Sequence, residues 1–506
     1  MDLTRVVREA LDCLGAEPGV REVEVFAAFN RSLLTRLNYT SHIPCNGVEE
    51  PKSAEMAGLG VQAVFDGPDG RPLIGFGSEP SDLTPEGARR ALAKARQAAV
   101  HDPEFRSLPR PPGAPRALAA HHDPRLMSVE DAELVEAGWK VITGGLRAFM
   151  ASSRLGDLAP DEAGLKRLGL ILGGDVSILQ SRVAIASTAM PEPQADDCAF
   201  MSASATGMVE ARDAKGSGWS ITTRLEHFTD EAGAEAASNA VAAMDGERVP
   251  SGAYTIILGP LPVADLCNNL IVPSCQAGSF YSSSTPFLGR LGRVVAARGL
   301  SIYDHGAMPG LAGSRGITCE GLPTGRTDLI KDGVLVGLLS HWYDTQRLLH
   351  DPAAAAGALA PRNGFRGDGG SGRSFESTPG TSASNVIVEG ADPVSLEDLA
   401  ARVGDGLYVG RIWYTYPING LRAGDFTCTV VGDSFVIRDG RIAGPLKANT
   451  IRINDNVIRL LGAVVGTTKD ARGTPLWAAD EVVYAPAIAV SGVHVDAIAG
   501  FMEGLD

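Results

Sequence analysis

Apolar and polar positions alternate with a period of two through much of residues 404–447. Phe426, Cys428 and Val430 fall on one side, and Asp425, Thr427 and Thr429 on the other. That period is the mark of a half-buried strand. Residues 407–416 are rich in β-branched and aromatic side chains, which favour a pleated surface. Residues 434–437 lead into Asp439-Gly440 and then 441–444, a strand, a tight turn and a strand. No helical period survives across the stretch, so the pattern predicts a β-meander in a core.

Elsewhere the period changes. Leu3–Leu14 has apolar residues at helical spacing and stops at Gly15. Residues 23–37 read as a strand, with Val23, Val25 and Ala27 on one face. Residues 58–65 and 73–76 flank Gly67-Pro68-Asp69-Gly70 and read as a hairpin. Thr84 is placed to cap a helix opening on Pro85 and running to about Val100. Residues 108–115 are proline-rich and read as a linker. Ser128 opens a further helix through Glu130, Leu134, Val135 and Ile142. Strands follow over 168–188 and 199–210, then a helix over 230–244 ended by Asp245-Gly246. These pieces predict an α+β domain over 1–245, with helices against a mainly antiparallel sheet. A boundary falls near Arg248. After it come a strand over 255–258, a helix from about Val263, and dense strand and turn signals. Residues 384–388 are a strand and 396–403 a short helix. The second domain, 246–506, is therefore predicted to be β-rich and barrel-like. The glycine-rich stretch 362–380 is expected to be mobile or to contact a partner, because each glycine costs backbone entropy to order.

Composition narrows the function. The chain has 506 residues, 44% hydrophobic and 21% charged, a globular balance. A formal charge of −15 repels phosphate backbones, so no nucleic-acid partner is expected. No apolar run reaches membrane-spanning length, and the charged amphipathic start is not a secretory signal. Seven scattered cysteines fit reduced thiols and a cytoplasmic location. Residues 367–372 fit GxGxxG by letters but lack the strand and helix that motif requires. No Walker A or GxSxG sequence is present. Cys267 and Cys275 are far apart for a structural clip and lack a second pair; Cys319 beside Glu320 and His305 beside Asp304 could approach each other around a metal, but buried cysteines usually just pack. His121-His122 reads as solvated. His341 ends a strand-like run and reads as packing, or as facing a cleft.

The order of the pieces carries more. Gly-Leu-Tyr-Val at 406–409, Gly-Asp-Phe-Thr at 424–427, Asp-Gly-Arg-Ile at 439–442 and Pro-Leu-Lys at 445–447 follow one another. Upstream stand Gly-Leu-Gly-Val at 58–61, the junction at 249–254, Ser-Ile-Tyr-Asp at 301–304 and Glu-Gly-Leu-Pro-Thr at 320–324. The series resembles the TldD/PmbA family, also called modulator of DNA gyrase, most strongly over 249–465. The resemblance implies a zinc peptidase fold whose catalytic members carry His-Glu-three residues-His on the helix after the junction. Here that helix reads VADLCNNLIV over 263–272, with Cys267, Asn268 and Asn269 at the place of the motif. The chain holds no His-Glu pair, and no cysteine follows Cys428. The resemblance therefore implies the TldE (PmbA) type, with no catalytic residue and no metal of its own. It would pair with a TldD-like metallopeptidase that holds the zinc and cuts leader or unfolded peptides. Phe280, Tyr281, Phe287, Trp413, Tyr414 and Tyr416, with His341, are the expected partner- or substrate-facing residues. The alternative is a stand-alone or homodimeric member with a relocated site in a biosynthetic pathway.

Overall fold

A computed structural model describes residues 2–40, 47–112, 118, 121–351, 359–367, 370 and 372–498. The amino-terminal half is one antiparallel sheet of six strands with helices on one face. In chain order it runs α1 (Leu3–Leu14), β1 (Val20–Thr40), β2 (Lys52–Asp66), β3 (Pro72–Pro80), α2 (Pro85–Gln97), α3 (Asp131–Ala151), α4 (Ser153–Leu158), α5 (Glu162–Leu168), β4 (Leu170–Ser187), β5 (Gln194–Val209), β6 (Ala214–Thr222) and α6 (Glu231–Ala242). The strands lie in the order β3-β2-β1-β4-β5-β6. The helix starts follow cap chemistry. Asp2 accepts from the Arg5 amide, and Thr84 accepts from the Gly87 amide ahead of Pro85. Helix α3 starts on Glu130 with Glu133 closing a capping box, so Ser128 is not its cap.

The sheet is buried on both faces, which explains its long apolar runs. On β1, Val23, Val25 and Ala27 pack under α1 and α2, and Leu33 and Leu37 under α3. The alternate residues Phe26 and Ala28 meet Ile317, Cys319, Phe365 and Phe375 from the other half of the chain. Helices α3 and α6 cross almost backbone to backbone. A Cβ on Gly233 would stand 1.8 Å from the Val141 carbonyl oxygen, and one on Gly144 would stand 2.4 Å from that of Asp230. Gly233→Ala should therefore force the helices apart and lower stability by about 1–3 kcal/mol. Chemical denaturation of the variant, set against Gly156→Ala where the Cβ meets nothing, checks it.

The carboxyl-terminal half is β-rich. A curled nine-stranded sheet includes β7 (Gly252–Leu258), Gly406–Val409, Arg411–Pro417, Asp425–Gly432, Phe435–Arg438, Arg441–Pro445, Ile451–Asn456, Val464–Thr467 and Ile488–Ala497. A second sheet of six strands contains Leu300–His305, Arg326–Lys331, Val334–Leu335, Asn385–Gly390, Arg472–Pro475 and Val482–Ala485. One apolar core joins both sheets to helix α7 (Pro260–Leu266). The Asp439-Gly440 turn forms as expected, both residues taking positive φ. The meander does not. Residues 407–416 break at Gly410, where a Cβ would lie 2.1 Å from the Asp433 carbonyl oxygen. Gly406–Val409 then pairs beside β7 and Phe435–Arg438, while Arg411–Pro417 pairs with Asp425–Gly432 at the far edge.

Two further expectations change. The proline-rich 108–112 is packed, with Leu108, Pro109 and Pro111 buried, and it joins α2 to α3 inside the amino-terminal half; 113–115 lie outside the described residues. The 362–380 stretch is not a loose loop. Asn363, Phe365, Arg366, Arg373, Ser374 and Phe375 are buried, whereas Gly367 and Gly370 are exposed. Two of its three arginines reach into the amino-terminal sheet. Arg366 pairs with Glu24 at 2.9 Å and Arg373 with Asp196 at 2.6 Å, all four side chains buried. Asp368, Gly369 and Ser371 of the GxGxxG letters lie outside the described residues.

Candidate functional site

A cleft of about 910 Å³ opens between the two halves. Its floor on one side is the face of the amino-terminal sheet turned away from α1–α6. Period-two geometry puts Ser32 and Leu34 of β1, Asp175, Ser177 and Leu179 of β4, and Ser202, Ser204 and Thr206 of β5 there. The opposite wall is α7 and its continuation. Leu261, Asp265, Asn268 and Asn269 line the cleft from one helical face, at spacings of four, three and one. The helix widens to π geometry over Cys267–Ile271, a distortion that recurs at functional sites. The mouth is framed by Trp413, Tyr414 and Trp477.

Asp265 is the most constrained polar group of that wall. Its Oδ1 accepts from the Asn269 amide at 3.2 Å, and its buried Oδ2 has no partner in hydrogen-bond geometry among the described residues. Burial pushes its carboxyl up to about 6, against the opposing pull of Thr415 and Asn269. Glu481, also lining the cleft, is pushed up to about 7 by burial, with Asp480 adding to the rise.

Three other carboxyls are buried near the junction of the halves. Burial raises Asp304 and Asp433 to about 6 and Glu320 to about 7. Glu320 accepts the Trp342 amide on both oxygens at 3.0 Å, and Asp433 accepts the Ser217 amide at 3.1 Å. Raised carboxyls stay protonated in the native state at pH values where the unfolded chain has already ionised them. Native protein then binds more protons, so stability falls as pH rises from the ordinary carboxylate range to about 7. Asp82 and Asp123, held down at about 2 by hydrogen bonds, act the opposite way but only in stronger acid. Melting temperature should therefore be higher near pH 5.5 than near pH 8, and Glu320→Gln should flatten that slope.

The expected site residues separate. Phe287 is fully buried and so does not face a partner, while Phe280 is partly buried and packs on the carboxyl-terminal core. Both sit on the short segment after α7, whose apolar side closes over the core. Tyr281 is half-exposed, donates to Glu104 and stacks under Arg347. Trp413, Tyr414 and Tyr416 are 43%, 71% and 52% exposed on the edge strand Arg411–Pro417, and the first two line the cleft. His341 starts a helix, Trp342–Leu348, rather than ending a strand. Its Nδ1 lies 2.8 Å from the Thr381 hydroxyl and 3.2 Å from Asp344, away from the cleft lining. His121 is buried, not solvated, with Nε2 2.7 Å from the Asp197 carbonyl oxygen, and burial lowers His122 to about 4. Asp265, Glu481 and Trp477 were not singled out by sequence. The helical spacing of Leu261, Asp265, Asn268 and Asn269 was the available signal for the first; nothing local marks the other two.

A family model, the PmbA/TldA metallopeptidase C-terminal domain, matches residues 251–497. This half of the chain belongs to the TldD/PmbA family. Curated relatives agree with it: a metalloprotease of Synechocystis sp. is 27% identical over 238 residues, 46% of each chain. The TldD homolog of Haemophilus influenzae, a metalloprotease, is 24% identical over 222 residues, 43% of this chain and 41% of that one. The matched stretch spans about half the length of these relatives. Among solved structures, TldE from Thermococcus kodakarensis superposes with a TM-score of 0.75 at 17% identity, covering 97% of this chain and 99% of that one. A candidate modulator of DNA gyrase from Bacteroides thetaiotaomicron gives 0.73 at 17%, covering 98% of both. The TldD/PmbA fold thus extends through both halves. No helix among the described residues is long and apolar enough to cross a membrane.

A metallopeptidase name implies zinc. The TldD/PmbA cleft here does not fit it. Its α7 wall offers one carboxylate and two amides, without the imidazole or thiolate donors zinc prefers. Among the described residues no three His, Cys, Asp or Glu side chains are grouped to hold a metal ion. Burial also pushes the Cys267 and Cys428 thiols far above the ordinary range, against thiolate ligation.

Proposed function

We propose that this chain is the subunit without the metal motif in a two-chain zinc peptidase. A TldD-like partner supplies the metal and the hydrolytic groups, and this chain walls the cavity in which leader peptides or small unfolded peptides are cut. The observation that carries the reading is the helix wall itself. In a TldD/PmbA fold, α7 lines a peptide-sized cleft and presents Asp265, Asn268 and Asn269 there. The exposed aromatic edge strand at the mouth gives a partner a place to close the cavity.

The test is co-expression with a family paralogue bearing HExxxH. A 1:1 complex should form, cleave an unstructured peptide, and carry zinc bound through the paralogue. Purified alone, this chain should do neither. Peptide cleavage by the isolated chain would replace this reading with that of a member having its own, relocated site.

A further inference from the structure

The charges lining the cleft do not balance in the way a closed, finished site would. Four arginines line it, and each is already engaged. Arg366 and Arg373 are held by Glu24 and Asp196. Arg315 donates to the carbonyls of Ala312 and Ser314. Arg411 lies against Asp433 and lowers its pKa. Of the carboxylates, Asp175 faces Arg36 at 3.5 Å and Asp480 accepts the Gly370 amide at 2.9 Å. Asp265 and Glu481 are left. Neither has a cation partner among the described residues.

The groups around them are also unfilled. Asp265 Oδ2 is buried without a partner in hydrogen-bond geometry, and the group that faces the carboxyl is the hydroxyl of Thr415, itself nine-tenths buried. Glu481 is 7% exposed, and only its own backbone amide offsets its burial. Buried carboxylates left this way carry a desolvation cost that an incoming cation would offset. The mouth adds a second preference. Trp413, Tyr414 and Trp477 are exposed aromatic residues of the lining, and aromatic rings attract guanidinium and ammonium groups.

We propose that the cleft seats a cationic side chain of an extended peptide, arginine or lysine, on the carboxylate of Asp265, with Trp413, Tyr414 and Trp477 flanking its path inward. This rests on reading the cleft as a peptide cavity, but not on the presence of a catalytic partner. The subsite would select substrates by a basic residue at a fixed distance from the cut bond.

The test uses the isolated full chain and short peptides with acetylated and amidated ends. One carries a central arginine, one a central lysine, and one citrulline, the uncharged isostere of arginine. Binding is read by calorimetry. The arginine and lysine peptides should bind at least tenfold more tightly than the citrulline peptide. Asp265→Asn should remove most of that difference. Equal binding of charged and uncharged peptides, or no binding of any, overturns the proposal. So does binding only of a peptide with a free amino terminus and no basic side chain, which would assign the carboxylate to a terminal ammonium. None of these outcomes bears on whether a metal-bearing paralogue forms a complex, so the two readings fail separately.

Discussion

Replacing Arg366 by alanine should lower the unfolding free energy by about 3–5 kcal/mol, the usual cost of stranding one member of a buried ion pair. Arg366 is 1% exposed. Its guanidinium pairs with Glu24 at 2.9 Å, donates to the Ser377 carbonyl at 2.6 Å and lies over the Phe26 ring, 4.6 Å from the centroid. Burial pushes the Glu24 carboxyl up and Arg366 pulls it back, so alanine leaves a buried acid with nothing to compensate it. The double variant Glu24→Gln, Arg366→Met removes both charges and should recover most of the loss, because an apolar isostere avoids desolvating either ion. Urea midpoints of the three proteins decide it. A single variant within 1 kcal/mol of the parent would mean the pair is dispensable.

The second large effect is expected at the edge strand. Tyr416→Asp should weaken association with a metal-bearing paralogue by about 30-fold or more, the factor that corresponds to about 2 kcal/mol at an interface anchor. Tyr416 is half-exposed and is not among the residues lining the cleft, so the isolated variant should keep its circular dichroism. The strand has an irregular register between Trp413 and Tyr416, and Tyr414 takes a positive φ of 56°. That distortion turns Trp413, Tyr414 and Tyr416 all outward while Ile412 stays in the core. Unchanged assembly and unchanged peptidase activity of the mixed complex would remove the edge strand from the interface.

How much of this was legible in the sequence depends on the range of the interaction. Capped helices were readable because the cap and its target are three residues apart, as at Thr84 and Gly87. The α+β class and the family resemblance were readable because strand alternation and motif order are linear properties. Double-sided burial of β1 was not, since Phe26 finds its partners, Ile317 and Phe365, some three hundred residues away. The break at Gly410 was hidden because residues 407–416 are all good strand formers; only the approach of Asp433 splits them. The glycine-rich 362–380 misled for a related reason. Backbone entropy argues for mobility, but two buried arginines outweigh it through acids the local sequence does not contain. Phe287 looked like a surface aromatic among serines and prolines and lies wholly in the core.

The Arg366–Glu24 pair also sets a schedule. Its members are 342 positions apart, so during synthesis Glu24 leaves the ribosome long before its counter-ion exists. At about 5–20 residues per second the gap is about 17–68 s. In the last part of it, once residues up to Ala242 have been made, the helix-covered face of the six-stranded sheet can be complete, while the other face carries Glu24, Phe26, Ala28 and Asp196 with nothing over them. A nascent chain of this kind is an unfinished sheet with an apolar, acid-studded back until the arginines arrive.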